Sequence, residues 1–293
     1  MTQAPKVRAF HVSHEWLTDT LAATSTAGAV EGDDWSFNTA TTRPVRRTNR
    51  TQIFRKDIAV SETQRAVNPA GFRDGYAYEI AKATKEIARN LESTLFVTAS
   101  GAGASGTTVA ARTLTPFRGW LTATAAGAGQ TVSALATTTS SAGVLTPDLF
   151  NAGLERCYLN GGNPEQVYVS PGVKRVISRF TATNQNRNIA AVDKKLVAAL
   201  DLYDTDFGII QVVMDRWIPQ ATNTVTTTAA SDIIGNIYFL ERAKNRLAWL
   251  RPVMHTLVGK NGDAVRGSVL GEVTLEVLNP LANFCETQVN NIS

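Results

Sequence analysis

The longest regular pattern of apolar residues runs from Asp74 to Phe96. Apolar residues and one threonine recur there every three or four positions, as along one face of an α-helix. The stripe consists of Ile80, Thr84, Ile87, Leu91 and Leu95. Charged residues fill the other faces, with Glu86 at pairing distance from Lys82 and Arg89. The pattern predicts a helix about 35 Å long, capped by Asp74 and laid along the edge of a sheet. An ordinary amphipathic core helix fits the same pattern.

Residues 1–29 carry a single short apolar patch, at Trp16, Leu17 and Leu21. So little apolar surface cannot form a core of its own. We therefore predict an N-terminal arm that docks on another surface.

Residues 30–61 predict a long extended excursion with an outgoing limb at 32–35 and a returning limb at 51–61. A two-limbed ribbon with so few apolar residues is not stable alone in water, so we expect it to lie on its own chain or on a neighbour. Four arginines lie between the limbs, at positions 43, 46, 47 and 50. They fit a solvated loop, a contact with an acidic surface of a neighbouring subunit, or a nucleic-acid contact. The last would call for interleaved aromatic residues or a groove-entering helix, and neither is present.

Residues 93–147 contain no aspartate or glutamate and are rich in Ala, Gly, Thr and Ser. They predict a connector with short strands, anchored at Gly119-Trp120-Leu121.

Residues 145–217 predict a second, α+β unit. Thr146 and Pro147 begin a helix that ends at Gly161-Gly162. A strand follows at 166–170, then a second helix, then strands at 196–203 and 207–218. The inward residues are predicted to be Phe150, Leu154, Cys157 and Tyr158 in the first helix, and Val173, Val176, Ile177 and Phe180 in the second.

The tail predicts strands at 237–240, 247–250, 253–258 and 269–278. In the last of these, Val273, Leu275 and Val277 alternate with Thr274 and Glu276, which is typical of a half-buried strand. We expect these strands to pack on the long helix, so that the 145–217 unit is inserted in a discontinuous domain.

The composition is that of a globular protein, with 293 residues of which 43% are hydrophobic. The net charge of +4 permits a polyanionic partner without requiring one. Two distant cysteines favour a reducing compartment. No signal peptide or membrane-spanning apolar run is visible, so we expect a soluble protein that is intracellular where it is made and makes no membrane contact.

A glycine pattern at 101–106 has the spelling of a dinucleotide-binding loop. That mechanism needs a strand before it, a helix after it, and an acidic residue about 20 positions on. Here a long helix precedes the glycines and the acid-free connector follows, so we expect no dinucleotide cofactor. Gly259-Lys260 likewise lacks the rest of a phosphate loop.

The residues that usually carry catalysis or bind metals are scattered. His11, His14 and His255 form no metal-spaced cluster. The aspartate pairs at 33–34 and 204–206 sit beside glycine or threonine, where a role in turns is favoured. Spacing alone does not exclude a Ser-His-Asp site, but no nucleophile elbow is present. We expect neither enzymatic activity nor a cofactor.

Short motifs occur in order along nearly the whole chain, and each is weak alone. They are Glu15-Trp16, Thr18-Asp19, Leu21-Ala22, Glu31-Gly32-Asp33, Asn49, Thr51-Gln52-Ile53, Arg55-Lys56, Val60-Ser61, the segment 79–92, Gly161-Gly162 with Pro164, Asp206-Phe207-Gly208, Asp215-Arg216, Leu250-Arg251-Pro252, Lys260 with Gly262-Asp263, and Glu272 with Leu275-Glu276-Val277. Their joint order resembles the major capsid proteins of tailed bacteriophages, specifically the family typified by podophages with elongated heads.

The resemblance implies the α+β Johnson fold of phage capsids. Its parts would be an N-terminal arm (1–29), an extended loop (30–61), a spine helix with connector (62–144), an axial domain (145–217) and the C-terminal strands of the peripheral domain (218–293). The family usually has more chain before Glu15-Trp16, so this arm is expected to be short.

The implied function is self-assembly into pentamers and hexamers of an icosahedral shell that encloses phage double-stranded DNA. Such a protein would be located in the virion capsid and assembled in the host bacterial cytoplasm. Its partners would be other copies of itself, the packaged DNA through non-specific contact, and portal, scaffold and decoration proteins.

The resemblance also suggests roles for charged residues. Contacts between subunits through the extended loop are expected at Arg43, Arg46, Arg47, Arg50, Arg55 and Lys56. Residues facing the DNA in the lumen are expected at Lys82, Lys85 and Arg89. Some proteins with this fold cross-link through lysine and asparagine. Lys56 is the only lysine of the loop and is not at its tip, so cross-linking is not expected.

The sequence is compatible with two other functions. An encapsulin-like nanocompartment shell would share the fold and enclose a protein cargo, so co-purified cargo distinguishes the two. A dinucleotide-dependent enzyme would rest on the 101–106 glycines alone and would carry bound cofactor.

Overall fold

The computed structural model describes residues 4–19, 21, 26, 28, 31–32, 43–67, 74–97, 102–121, 133–134, 145–183, 202–218, 233–259 and 262–290. Its strands are β1 (Lys6–Arg8), β2 (Ser13–Thr18), β3 (Val45–Arg50), β4 (Gln52–Ser61), β5 (Ser133–Ala134), β6 (Gln166–Val169), β7 (Leu202–Thr205), β8 (Gly208–Met214), β9 (Ile233–Leu240), β10 (Asn245–Val258), β11 (Ala264–Val277) and β12 (Phe284–Asn290). Its helices are α1 (Glu62–Ala66), α2 (Gly75–Leu95), α3 (Phe117–Leu121), α4 (Pro147–Leu159) and α5 (Pro171–Thr183), with short 3-10 turns at Arg242–Lys244 and Pro280–Ala282.

The strands form three sheets. One has four strands in the order β1-β10-β11-β4, one has six in the order β5-β12-β9-β6-β8-β7, and β2 and β3 form a separate two-stranded ribbon. In the four-stranded sheet β10, β11 and β4 are antiparallel, while β1 runs parallel to β10. The two larger sheets each carry a buried apolar cluster.

The predicted long helix is α2, and the Asp74 side chain caps it by accepting hydrogen bonds from the amides of Tyr76 (2.9 Å) and Ala77 (3.4 Å). It packs on β4, the edge strand of the four-stranded sheet, and on β11. Its buried residues are Tyr76, Ala83, Ile87, Leu91 and Leu95, with Ile80 packed beside them. The helix along a sheet edge and four of the five stripe residues are thus confirmed.

One stripe residue and one ion pair of α2 differ from the prediction. Thr84 is exposed, and its hydroxyl donates to the Ile80 carbonyl instead of facing the core. Glu86 pairs with Lys56 of β4 at 3.0 Å, which lowers the pKa of the Glu86 carboxyl. Lys82 lies 3.6 Å from Glu79. The ion pair between Glu86 and Lys56 joins α2 to a different strand, so the spacing of residues within the helix could not predict it.

The returning limb of the extended loop is not an unsupported ribbon. It forms β4, which pairs with β11 along its whole length, from Gln52 opposite Val273 to Ser61 opposite Ala264. Its inward residues Phe54, Ile58 and Val60 are buried in the same cluster as α2. The outgoing limb after Gly32 falls outside the described residues.

The arginine-rich segment forms β3, and it pairs with β2 of the arm from Ser13 opposite Arg50 to Thr18 opposite Val45. This ribbon lies on the four-stranded sheet of its own chain, because Trp16 is buried and its Nε1 donates to the Val277 carbonyl at 3.0 Å. The predicted docking of the arm is confirmed at Trp16. Leu17 and Leu21 of the same patch are exposed.

Helices α4 and α5 pack on the six-stranded sheet. Thr146 caps α4 by accepting from the Leu149 amide, as predicted. The predicted inward residues of both helices are buried except Tyr158, which is 59% exposed with its ring 5.7 Å from that of Phe207. Of the two predicted strands that follow, residues 196–201 fall outside the described part, and the rest form the hairpin β7–β8.

The C-terminal strands divide between the two large sheets, which differs from the expectation that all of them pack on the long helix. β10 and β11 belong to the four-stranded sheet, while β9 and β12 pair with each other in the six-stranded sheet, where β9 also pairs with β6. The predicted strands at 247–250 and 253–258 are one strand, β10. The prediction that β11 is half-buried is wrong, because Thr274 and Glu276 are also buried.

The predicted anchor of the connector is confirmed, since Trp120 and Leu121 in α3 are fully buried. Within the described part of the chain, no helix combines the length and apolarity needed to cross a membrane.

Candidate assembly surfaces and the root of the extended loop

The ribbon joins the four-stranded sheet at residues 49–52, which we call the loop root. Asn49 is 2% exposed and bridges two other segments. Its Nδ2 donates to the carbonyls of Leu275 (2.7 Å) and Thr115 (3.3 Å), and its Oδ1 accepts from the Thr115 amide at 2.9 Å. The Leu114 amide donates to Gln52 Oε1 at 3.1 Å. The loop root is therefore bonded to the connector and to β11.

A buried carboxylate, Glu272 of β11, lies beneath the loop root. Its Oε1 accepts from the Thr51 hydroxyl (2.7 Å) and from Arg112, and its Oε2 accepts from Arg251 Nε (2.9 Å). Burial acts to raise the pKa of the Glu272 carboxyl. Hydrogen bonds from Thr51 and Arg251 and the charges of the two arginines outweigh burial, so this pKa lies below its ordinary value.

A second buried carboxylate, Glu276, holds the arm. Its Oε2 lies 2.8 Å from His14 Nε2 of β2, and its Oε1 lies 3.8 Å from Arg246 of β10. No spacing or motif in the sequence predicts these contacts of His14, Glu272 and Glu276. Glu272 and Glu276 alternate with apolar residues along β11, and such alternation alone predicts that they face solvent.

The residues predicted for contacts between subunits are not brought to a single site. Arg46, Arg47 and Arg50 lie on β3, and Arg43 precedes it; Arg47 is half-buried, with its Nε shielded from solvent. Arg46 is exposed and lies 3.4 Å from Glu15 of β2. Successive residues of a strand point to opposite faces, so Lys56 turns towards Glu86 on α2 while Arg55, which lies 3.3 Å from Asp57, turns away from it.

Lys82, Lys85 and Arg89, predicted to face DNA, are brought together. They line an open groove of about 600 Å³ along α2, which we call the helix groove, with Tyr78 and Trp217 among its other lining residues. The Arg89 guanidinium lies 5.5 Å from the centre of the Trp217 ring, a cation–π distance. The groove presents these cations and aromatic rings together with two carboxylates, those of Glu86 and Glu92.

The described residues contain no cluster of three or more His, Cys, Asp or Glu that could hold a metal ion. His255 Nε2 lies 2.8 Å from the Tyr76 hydroxyl. Cys157 and Cys285 are free and buried, and burial raises the pKa of the Cys157 thiol to about 12.

The glycine segment, described from residue 102, folds back on the connector. The Gly103 amide donates to Thr115 Oγ1, and the Ala104 amide donates to Thr113 Oγ1. A Cβ at Gly103 would lie 2.4 Å from the Thr113 carbonyl oxygen, so this close approach accounts for the glycine.

Comparison with known proteins decides the family. The model of the family described as "SU10 major capsid protein" matches residues 1–290. The chain belongs to that family. Members of this family are structural proteins of the capsid shell. This protein is therefore a structural component of the virion capsid.

Solved capsid structures have the same fold. The capsid of a native GTA particle has a TM-score of 0.63 at 15% identity, covering 98% of this chain and 89% of that chain. The cyanophage A-1(L) capsid has a TM-score of 0.62 at 15% identity, covering 98% and 91%. Mycobacterium phage Adephagia has a TM-score of 0.59 at 13% identity, covering 100% and 90%. No curated protein matches the chain.

The resemblance to tailed-phage major capsid proteins is thereby confirmed, and the mixed helix-and-sheet fold agrees with the predicted Johnson fold. The nanocompartment alternative is not favoured, because the family and these structures are those of phage and GTA capsids. The boundaries predicted for the five parts of the chain stay predictions.

Proposed function

We propose that this protein assembles into pentamers and hexamers of an icosahedral shell that encloses phage double-stranded DNA. The observation that supports the proposal is the extent of the match. One capsid family model covers residues 1–290, and capsid structures cover 98–100% of the chain at TM-scores of 0.59–0.63. The mechanism is association between copies, and we infer that the protein catalyses no reaction.

We further propose that the arginines at 43, 46, 47 and 50 contact carboxylates of an adjacent subunit. Guanidinium groups suit bidentate pairing with carboxylates, and Arg43 and Arg46 are exposed. Arg55 and Lys56 contribute less to this proposal, since they already pair with Asp57 and Glu86 of their own chain.

We propose that the helix groove makes a non-specific contact with packaged DNA. Its cations lie on the side of α2 opposite the buried residues Ile87 and Leu91. Phosphate contacts of this kind read no sequence and weaken as salt rises. Glu86 and Glu92 also line the groove, so its three cations leave the lining with a net charge of +1, and the acid-free connector at 93–147 adds no further negative charge. We also infer that portal, scaffold and decoration proteins join the shell, and that assembly takes place in the host bacterial cytoplasm.

Electron microscopy of the purified full-length chain tests the shell. We expect closed particles with fivefold and sixfold units, and nucleic acid inside particles recovered from infected cells. Protein that stays monomeric across a range of salt and concentration would contradict the proposal. A protein cargo in place of DNA would support a nanocompartment instead.

A triple substitution tests the DNA contact. Lys82→Gln with Lys85→Gln and Arg89→Gln should leave shell formation intact, lower the affinity of unassembled subunits for DNA, and flatten its salt dependence. The control replaces the exposed Arg175, Arg242 and Arg266 by Gln, which removes the same charge outside the groove lining. Equal loss of affinity in both variants would mean that only net charge matters. A density map with the three groove residues on the outer surface would also overturn the contact.

A further inference from the structure

Thr51 is the residue at which the chain passes from β3 of the ribbon to β4 of the four-stranded sheet. It is fully buried, and its polar groups bond to three separate segments. Its amide donates to the Val12 carbonyl (2.9 Å), its hydroxyl donates to Glu272 (2.7 Å), and its carbonyl accepts from Arg112. The position of the loop root is thus determined by polar contacts with the arm, β11 and the connector.

The Glu272 carboxylate bonds to both Thr51 and Arg112, so it links the loop root, β11 and the connector. It is 3% exposed, and each of its oxygens is committed: Oε1 to Thr51 and Arg112, Oε2 to Arg251. The register between β10 and β11 shifts on both sides of Arg251, once between Trp249 and Arg251 and once between Arg251 and Met254. Hydrogen bonds to an ionised group are directional and about twice as strong as neutral ones.

We propose that Glu272 is a positioning residue for assembly, which fixes the direction in which the extended loop leaves the four-stranded sheet. It does so by holding Thr51, Arg112 and Arg251 around one carboxylate. The inference rests on the proposed function to the extent that the loop reaches a neighbouring subunit. A small tilt at the root is amplified along a loop. Ten residues of extended chain span about 33 Å, so a tilt of about 10° moves their end by about 6 Å.

Substitution of Glu272 itself is a poor test, because a neutral side chain there would leave two guanidinium groups in a buried site and the chain could fail to fold. Thr51→Val is a more specific test of the contact. It keeps the shape of the side chain and removes only the hydroxyl that donates to Glu272. Thr274→Val is the matched control on β11. Thr274 is also fully buried, and its hydroxyl has no hydrogen-bond partner among the described residues.

Two measurements are made on each variant: amide hydrogen exchange of unassembled subunits, and the yield and uniformity of particles. Thr51→Val should raise exchange about tenfold at residues 49–52 and 112–115 and should lower the yield of uniform particles. Thr274→Val should change neither. Thr51→Ser keeps the hydroxyl and loses the methyl group, so it should behave like the parent in both measurements.

Two results would overturn the inference. One is a Thr51→Val variant that matches Thr274→Val in exchange and in particles. The other is a Thr51→Ser variant as defective as Thr51→Val, which would show that packing of the methyl group, and not the hydrogen bond, sets the root. The exchange measurement needs no shell. If the parent forms no particles, the proposed function fails while exchange still decides whether Glu272 holds the root.

Discussion

The ring of Trp16 lies 5.2 Å from the ring of Trp120, centre to centre, although 104 positions separate the two residues in the sequence. Trp120 belongs to the connector and is fully buried. Trp16 belongs to the arm, and its Nε1 also donates to the Val277 carbonyl of β11. One aromatic side chain of the arm therefore contacts two other parts of the four-stranded unit, and the β2–β3 ribbon is fastened to its own chain.

Replacement of Trp16 tests how much this contact stabilises the fold. Trp16→Ala should lower the free energy of unfolding of unassembled subunits by about 3–5 kcal/mol, because it removes a large buried ring and leaves a cavity. Leu17→Ala is the neighbouring control. Leu17 is 64% exposed, so its loss should cost no more than about 0.5 kcal/mol. Urea denaturation measures both, and similar values for the two would show that the ribbon is not docked through Trp16.

A pair of aspartate substitutions tests which face of α2 packs on the sheet. Leu91 is 6% exposed, so Leu91→Asp buries an unpaired charge and should cost more than about 3 kcal/mol or prevent soluble expression. Thr84→Asp, on the same helix, should be tolerated because Thr84 is exposed. Solubility, thermal unfolding and particle formation are compared. A tolerated Leu91→Asp would mean that the helix presents a different face to the sheet.

The Thr84 result bears on what the sequence could predict. Spacing located α2, and the local cap residues Asp74 and Thr146 fixed where two helices begin, because these signals act within one turn. Spacing chose Thr84 where the structure buries Ala83. The two positions differ by about 100° around the helix, and a small alanine gives little signal beside charged neighbours. The outcome depends on the surface of β4, which the helical pattern does not contain.

Contacts between distant segments were beyond prediction for a different reason. Glu276 follows the alternation of a half-buried strand, yet it is buried because β2, 262 residues away at His14, covers that face. The apolar runs at 237–240 in β9 and 247–250 in β10 are alike, and only pairing with β6 and β12 or with β1 and β11 assigns the two strands to different sheets. The pattern of a single sequence indicates which residues tend to be buried. It does not identify the segment that covers them.

Glu286 of β12 makes stability depend on pH. It is 9% exposed, and its Oε2 has no hydrogen-bond partner in the described part of the chain. Burial raises the pKa of this carboxyl from 4.5 to about 7, against a smaller opposing effect of Arg156. Between these values the folded state holds a proton that the unfolded state has lost, so stability falls as pH rises and the full penalty applies above pH 7.

Glu286→Gln should therefore be more stable than the parent at pH 8, by up to about 3 kcal/mol, and close to it at pH 4. Glu155→Gln, at an exposed position of α4, controls for the loss of a carboxylate and should be equally stable relative to the parent at both pH values. Thermal unfolding of unassembled subunits at both pH values gives the comparison. A Glu286→Gln variant that is less stable at pH 8 would indicate that the ionised carboxylate has a favourable partner.

The arginines of the extended loop offer a test of assembly that leaves the monomer intact. Arg43, Arg46, Arg47 and Arg50 are replaced together by Ser. Their pairing in the described structure is slight, since Arg46 contacts Glu15 at 3.4 Å with both side chains exposed. Such pairs contribute about 0–1 kcal/mol each, so circular dichroism of the subunit should be unchanged.

Each contact with a neighbour repeats at every subunit interface of a shell, so the same substitution should lower particle yield clearly. The deficit relative to the parent should be largest at low salt and shrink as salt rises, because screening weakens the ion pairs that only the parent can form. Ser at Arg175, Arg216, Arg242 and Arg266, all exposed, removes the same charge elsewhere and should assemble like the parent. If the loop variant gives normal yield at every salt concentration, the arginines are solvated and the proposed contact with a neighbouring subunit is wrong.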